Sequence, residues 1–131
     1  MIRNALIALA SLVALAPAAV WAEDTYYGVT SLENNTDDTI RYFFKWDRAG
    51  EDWELRTLEP HTGRHHSWRY DYPNQNRGPR LLVMFDCDGT SQTRWETRAL
   101  ESYASPTSDE RHAKQYEFLI NRDEFMLVAA N

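Results

Sequence analysis

The chain has 131 residues, 14 basic against 20 acidic side chains, and a formal charge of −6 at pH 7. An acidic balance argues against nucleic acid or an anionic membrane surface as partner, because such affinity comes largely from basic side chains neutralising phosphates. Cys87 is the single cysteine, so no internal disulfide can form and the interior must be built from apolar and aromatic side chains.

Residues 1–22 have the layout of a secretory signal peptide. Arg3 supplies the positive end, Ala5 to Ala19 form an apolar run broken by Pro17, and Val20 and Ala22 occupy the minus-three and minus-one positions of a cut. A membrane span wants roughly 20 uninterrupted apolar residues, more than this run offers. Cleavage after Ala22 leaves residues 23–131 as a single domain with no membrane span, in the periplasm or outside the cell. Arg3 is the only charge removed, so the balance becomes 13 against 20, a formal charge of −7.

Alternation with a period of two runs through the remainder. Tyr27, Val29 and Ser31 alternate with Tyr26, Gly28 and Thr30, and the polar turn Asn34 to Asp38 follows. Thr39 to Trp46 is the clearest strand, with Ile40, Tyr42, Phe44 and Trp46 on one face and Arg41 and Lys45 on the other. Phe43 interrupts that polar face. Trp53, Leu55 and Thr57 alternate with Glu54 and Arg56, which predicts a hairpin closed by residues 47–52. After the Pro60–Gly63 turn, His66, Trp68 and Tyr70 alternate with His65, Ser67 and Arg69.

A polar and aromatic loop spans Asp71 to Pro79. Leu81, Val83 and Phe85 alternate with Leu82 and Met84, and a strand apolar on both faces belongs in the middle of a sheet. Thr93, Trp95 and Thr97 alternate with Arg94, Glu96 and Arg98. Residues 99–113 read as irregular, with Thr107 to Glu110 in capping-box spacing and one helical turn expected around 108–114. Two closing strands carry Tyr116, Phe118 and Ile120, then Phe125, Leu127 and Ala129. Seven to eight short strands predict an all-β fold, an antiparallel β-sandwich of immunoglobulin-like type.

Leu81 to Thr90 contains Asp86-Cys87-Asp88-Gly89-Thr90 after an apolar strand. This resembles the first motif of the haloacid dehalogenase-like phosphotransferases. The resemblance implies Asp86 as nucleophile, Asp88 as proton donor and a magnesium ion beside them. That motif opens a doubly wound α/β domain, whereas the residues on both sides of it here read as β-strands. A hairpin with an Asp88-Gly89 turn is therefore expected, and neither a catalytic role nor a cofactor.

Of the histidines His61, His65, His66 and His112, His65 and His66 point to opposite faces of a strand and cannot share a metal ion. His61 and His65 meet only if the Gly63 turn folds back, and a third ligand must then come from elsewhere. One histidine packed beside Trp68 and two at the surface is the expectation. Cys87 is expected as a small buried hydrophobe. At least three of Trp46, Trp53, Trp68 and Trp95 should build the core.

Trp68 to Arg77 is the segment whose composition suits a ligand. Trp68, Tyr70 and Tyr72 offer flat rings, and Asn74, Asn76 and Arg77 offer polar groups, as a sugar site or a protein hot spot would. Asn34-Asn35-Thr36 is formally an N-glycosylation triplet. A broader pattern joins that triplet to Trp53, Leu58-Glu59-Pro60 and His66-Ser67-Trp68-Arg69-Tyr70. It resembles small exported β-sandwich modules of bacteria, which implies the fold and no activity. The expectation for function is a non-catalytic binding or protein-interaction module of the bacterial envelope, its partner another envelope protein or a glycan. A carbohydrate-binding module using residues 68–77 is the alternative, and a magnesium-dependent phosphatase the remote one.

Overall fold

The structure, a computed structural model, describes residues 26–70, 79–109, 111 and 113–130. The expected leader, residues 1–22, lies outside them. The described residues form nine strands and no α-helix: β1 (Tyr26–Asn34), β2 (Ile40–Trp46), β3 (Glu54–Leu58), β4 (Gly63–Tyr70), β5 (Leu81–Asp86), β6 (Trp95–Leu100), β7 (Tyr103–Ser105), β8 (Lys114–Asn121) and β9 (Glu124–Ala129). Among them no helix is long and apolar enough to cross a membrane.

Two sheets result. The second has the order β3-β2-β5-β6 and is antiparallel throughout. The first has the order β4-β1-β8-β9, with β7 beside one end of β1. Their facing sides interlock as in a β-sandwich. Leu32, Phe118 and Leu127 of the first meet Tyr42, Phe44, Val83 and Phe85 of the second, and Phe118 touches Tyr42 and Phe85 at ring-centroid distances of 6.1 and 5.2 Å. Alternation causes this directly. Ile40, Tyr42, Phe44 and Trp46 of β2 and Leu81, Val83 and Phe85 of β5 are all buried, while Arg41 between them is exposed. β5 lies inside the sheet, between β2 and β6, as its two apolar faces require. Cys87, free and 2% exposed, completes this interior.

The structure corrects the expected layout in three places. The count is nine strands rather than seven or eight, because β7 falls within the stretch read as irregular. Three residues, with Tyr103 exposed and Ser105 buried, are too few for alternation to declare itself. The pairing is not purely antiparallel, since β8 runs parallel to β1. β7 occupies the edge of β1 at Tyr27–Val29, and the chain then turns back and enters the same edge at Thr30, which forces it to run alongside β1. Within the turn expected around 108–114, Arg111 is in 3₁₀ conformation and donates its amide to Asp109, and Lys114 then begins β8; residues 110 and 112 lie outside the described residues.

The third correction concerns tryptophan. Trp46 is buried and Trp68 packs against it at 6.0 Å, but Trp53 and Trp95 are exposed, so two of the four build the core rather than three. Residues directly opposite one another share a face of a sheet. Tyr42 stands opposite Arg56 and Phe43 opposite Leu55, so Leu55 points outward with Phe43. The alternation in β3 was read correctly, but its apolar phase faces away from the interior.

Asn34 ties the two sheets at one end. It is fully buried, and its Nδ2 lies 2.7, 3.0 and 3.2 Å from the carbonyls of Asp38, Leu58 and Glu59. Its Oδ1 accepts from the amide and the hydroxyl of Thr36. Its backbone amide donates to the Thr62 carbonyl and its own carbonyl accepts from His61. One residue thus satisfies both the turn into β2 and the turn from β3 to β4. The nitrogen that N-glycosylation would modify is the one holding these carbonyls, so the triplet is structural in the folded domain. Leaving buried carbonyls unpaired costs about 1–3 kcal/mol each. Asn34→Ala should therefore lower stability by about 3 kcal/mol in urea unfolding, and Asn34→Asp, which turns an acceptor toward those carbonyls, by at least as much. A loss below about 1 kcal/mol for both would contradict this role.

Candidate functional site

The outward face of the second sheet follows from its register. Leu55, Phe43, Met84 and Thr97 form one cross-strand row. Lys45, Leu82 and Ala99 form the next, with Lys45 Nζ 4.8 Å from the centre of the Trp53 ring. Asp86 pairs with Trp95 in a third, and continuing the Tyr42–Phe85 register sets Arg41 beside Asp86. Phe43, Leu82 and Met84 are half-buried by one another, whereas Leu55 is 39% and Trp95 52% exposed. The Trp95 and Phe43 rings lie 5.8 Å apart at 61°.

An open groove of about 440 Å³ lies here, walled by Phe43, Leu55, Trp95 and Phe125 and edged by Arg41, Asp86, Asp88 and Thr93. Asp86 Oδ1 accepts from the amides of Asp88 and Arg94 at 3.0 and 2.9 Å, leaving Oδ2 without a partner among the described residues. Arg41 and Thr93 likewise make no side-chain hydrogen bond or ion pair among the described residues. The groove therefore combines a bare indole with uncommitted donors and acceptors, all but Thr93 and Asp88 carried on strands or strand ends. Sequence reasoning missed it. The signal was Phe43 breaking a polar face, and only register adds Leu55, Met84 and Trp95 to it.

The phosphotransferase-like motif lies along one side of this groove, and each of its residues has a packing role. Asp86 holds two backbone amides, as above. Asp88 Oδ1 accepts from the Thr90 amide and hydroxyl, and these bonds hold its carboxyl below the usual carboxylate range. Gly89 N donates to the Asp123 carbonyl at 2.6 Å, and a Cβ at Gly89 would sit 2.8 Å from that oxygen. Cys87 Sγ donates to the Arg94 carbonyl and accepts from Arg94 Nε, both at 3.1 Å, while Arg94 also pairs with Glu124. The Cys87 carbonyl accepts from Phe125 N. These bonds lock the β5–β6 connection onto the β8–β9 hairpin. β5 is antiparallel to both its neighbours, unlike the strand that carries the motif in a doubly wound sheet.

Of the ligand residues expected from sequence, Trp68 is half-buried, packed against Trp46 at a 57° tilt, with the Arg48 guanidinium 5.2 Å from its ring centre. Tyr70 ends β4 opposite Tyr26. Tyr72, Asn74, Asn76 and Arg77 lie outside the described residues, as does His112. Among the described residues, no three His, Cys, Asp or Glu side chains gather as metal ligands. His61 pairs with Asp37 at 2.8 Å, and His65 is exposed.

The buried histidine is His66, two residues before Trp68 on β4, and its ring packs on Phe44 and Tyr42. Its Nε2 lies 2.9 Å from the Tyr42 hydroxyl, and its ring centre 4.1 Å from that of Phe44. Burial first, then the positive charges of Arg56 and Arg64, push its pKa down to about 3; burial pushes the Tyr42 hydroxyl up to about 12. A neutral imidazole can thus accept the Tyr42 proton. Above pH 6.5 neither folded nor unfolded His66 carries a proton, and its full contribution to stability is present. Between pH 6.5 and 3 the unfolded chain binds a proton that the folded chain refuses, so stability falls as pH falls, by about 1.4 kcal/mol per unit. From pH 6.5 to 5 the wild type should therefore lose up to about 2 kcal/mol in urea unfolding relative to its His66→Gln variant. Parallel pH profiles for the two would contradict the assignment.

No family model matches the chain, and no characterised protein or solved structure shows significant similarity to it.

Proposed function

We propose that this chain is an exported, non-catalytic binding module whose contact surface is the outer face of the β3-β2-β5-β6 sheet. The observation that carries the reading is the set of large apolar side chains on that face: Leu55 and Phe43 opposite one another on β3 and β2, and Trp95 on β6 with its ring against Phe43. Side chains on strands are held more firmly than side chains on loops, so the surface is preformed. Export rests on the layout of residues 1–22 and places the mature chain in the periplasm or outside the cell. An immunoglobulin-like type of sandwich is the reading that suits short strands in two facing sheets within a domain of this size.

The segment from Trp68 to Arg77 is the lesser candidate. Its one ring among the described side chains, Trp68, is engaged by Trp46 and Arg48 and leaves less free surface than Trp95. Catalysis through Asp86 and Asp88 is disfavoured because one oxygen of each carboxylate is already committed to the turn.

Two measurements test the proposal. Immobilised wild type should retain an envelope component from extracts of the source cells, and Leu55→Ser/Trp95→Ser should retain at least tenfold less; equal retention would refute the surface. With magnesium and an aryl phosphate, wild type and Asp86→Asn should both release no phenol above background. Turnover by wild type that disappears in Asp86→Asn would restore the phosphatase reading.

A further inference from the structure

We infer that the groove beside Trp95 binds a neutral pyranose unit of a glycan, an inference that rests on the outer-face reading and gives it a ligand class. Three features of the groove bear on the ligand. Trp95 is half exposed and meets Phe43 at an angle, so part of its ring system remains open to a flat, C–H-bearing partner. The polar groups around that ring are of mixed type: Arg41 donates only, Asp86 Oδ2 accepts only, and the Thr93 hydroxyl does both. None of these three is satisfied within the described residues.

A sugar ring matches that combination. Its axial C–H face stacks on an indole, and its rim of hydroxyls both donates and accepts. A carboxylate oxygen can take two neighbouring hydroxyl protons while a guanidinium donates to a third oxygen. A purely apolar ligand would strand Arg41 and Asp86 in contact with it, at the cost of desolvating both. A protein hot spot would be depleted of charge at its centre, and here charged groups stand directly beside the ring.

The charge balance narrows the class further. Asp86 and Asp88 line the groove with one guanidinium, Arg41, and the nearby Arg94, which also acts on Asp88, is paired with Glu124, so the balance at this edge is acidic and disfavours uronate and other anionic sugars. The volume, about 440 Å³, falls within the range of roughly 300–1,000 Å³ common for small-ligand sites. The groove is open, and a ring seated in it can belong to a longer chain.

The mature chain, residues 23–131, should be run through native gels containing hydroxyethyl cellulose, xyloglucan, galactomannan or glycol chitin, with polygalacturonate as the anionic control. At least one neutral polymer should retard it and polygalacturonate should not. Against that polymer, Trp95→Ala should bind at least tenfold more weakly and Asp86→Asn several-fold more weakly. Tyr103→Ala, an exposed aromatic on the other sheet, should match wild type. Unfolding midpoints measured on the same samples separate lost binding from lost fold.

Retardation by none of the neutral polymers overturns the inference. So does retardation that survives Trp95→Ala but disappears in Tyr70→Ala/Tyr72→Ala, which would move the sugar to the 68–77 segment. If no glycan binds while Leu55→Ser/Trp95→Ser still abolishes retention of an envelope protein, the sugar class fails and the binding surface stands. If both fail, the outer-face reading falls with it.

Discussion

Everything in this fold depends on the bonds that converge on Asn34. The chain leaves the first sheet at the end of β1, Asn34, and enters the second at Ile40 after five intervening residues. No disulfide marks that crossing. A fully buried amide does the work instead, reaching backbone at the start of β2, the end of β3 and the turn into β4. The turn conforms to it at some cost, since His61 adopts a left-handed backbone with φ of 57°, a conformation in which its amide reaches the Asn34 carbonyl and its ring reaches Asp37. With this end fixed, the interior closes around Tyr42. That side chain touches Phe44, Phe118 and His66, and its hydroxyl, fully buried, is satisfied by an imidazole that stays neutral across the physiological range.

The same frame separates the side chains that hold the domain together from those that are free to bind. Inward residues of β2 and β5 alternate with outward ones, and among the outward ones Phe43, Leu82 and Met84 are apolar beside the charged Arg41, Lys45 and Asp86. Such a strand needs a layer on each face, and the described residues supply only one. Phe43, Leu82 and Met84 partly shield one another, but Leu55 and Trp95 extend beyond them. On the proposed reading, a ligand covering this face would complete the burial that the second sheet begins.

Much of this was legible in the sequence. The inward sets of β2 and β5 follow from strict alternation, and so do the all-β class and the central place of β5. Alternation gives a period but no phase: Trp53, Leu55 and Thr57 repeat correctly yet face outward, because only the pairing of Phe43 with Leu55 fixes their side. Short or non-local pairing was illegible for a different reason. β7 is three residues long, and the parallel entry of β8 beside β1 is decided by which part of an edge is already filled. Asn34 reads as a turn residue or a glycosylation acceptor until its burial is known. The turn contacts of Asp86 to Thr90 were equally hidden: the letters do not reveal that the aspartates cap their own turn or that the glycine admits a neighbouring backbone.

If the outer aromatic face serves the proposed binding role, the interior alone carries the fold and that face is spare. Equilibrium unfolding of Leu55→Ser/Trp95→Ser tests this most directly. An exposed β position spans only about 1 kcal/mol between residue types. If the face is spare, the variant should unfold within about 2 kcal/mol of wild type with an unchanged denaturant dependence. A loss of about 4 kcal/mol or more, or a shallower transition, would show that these side chains belong to the structure itself and would contradict the account.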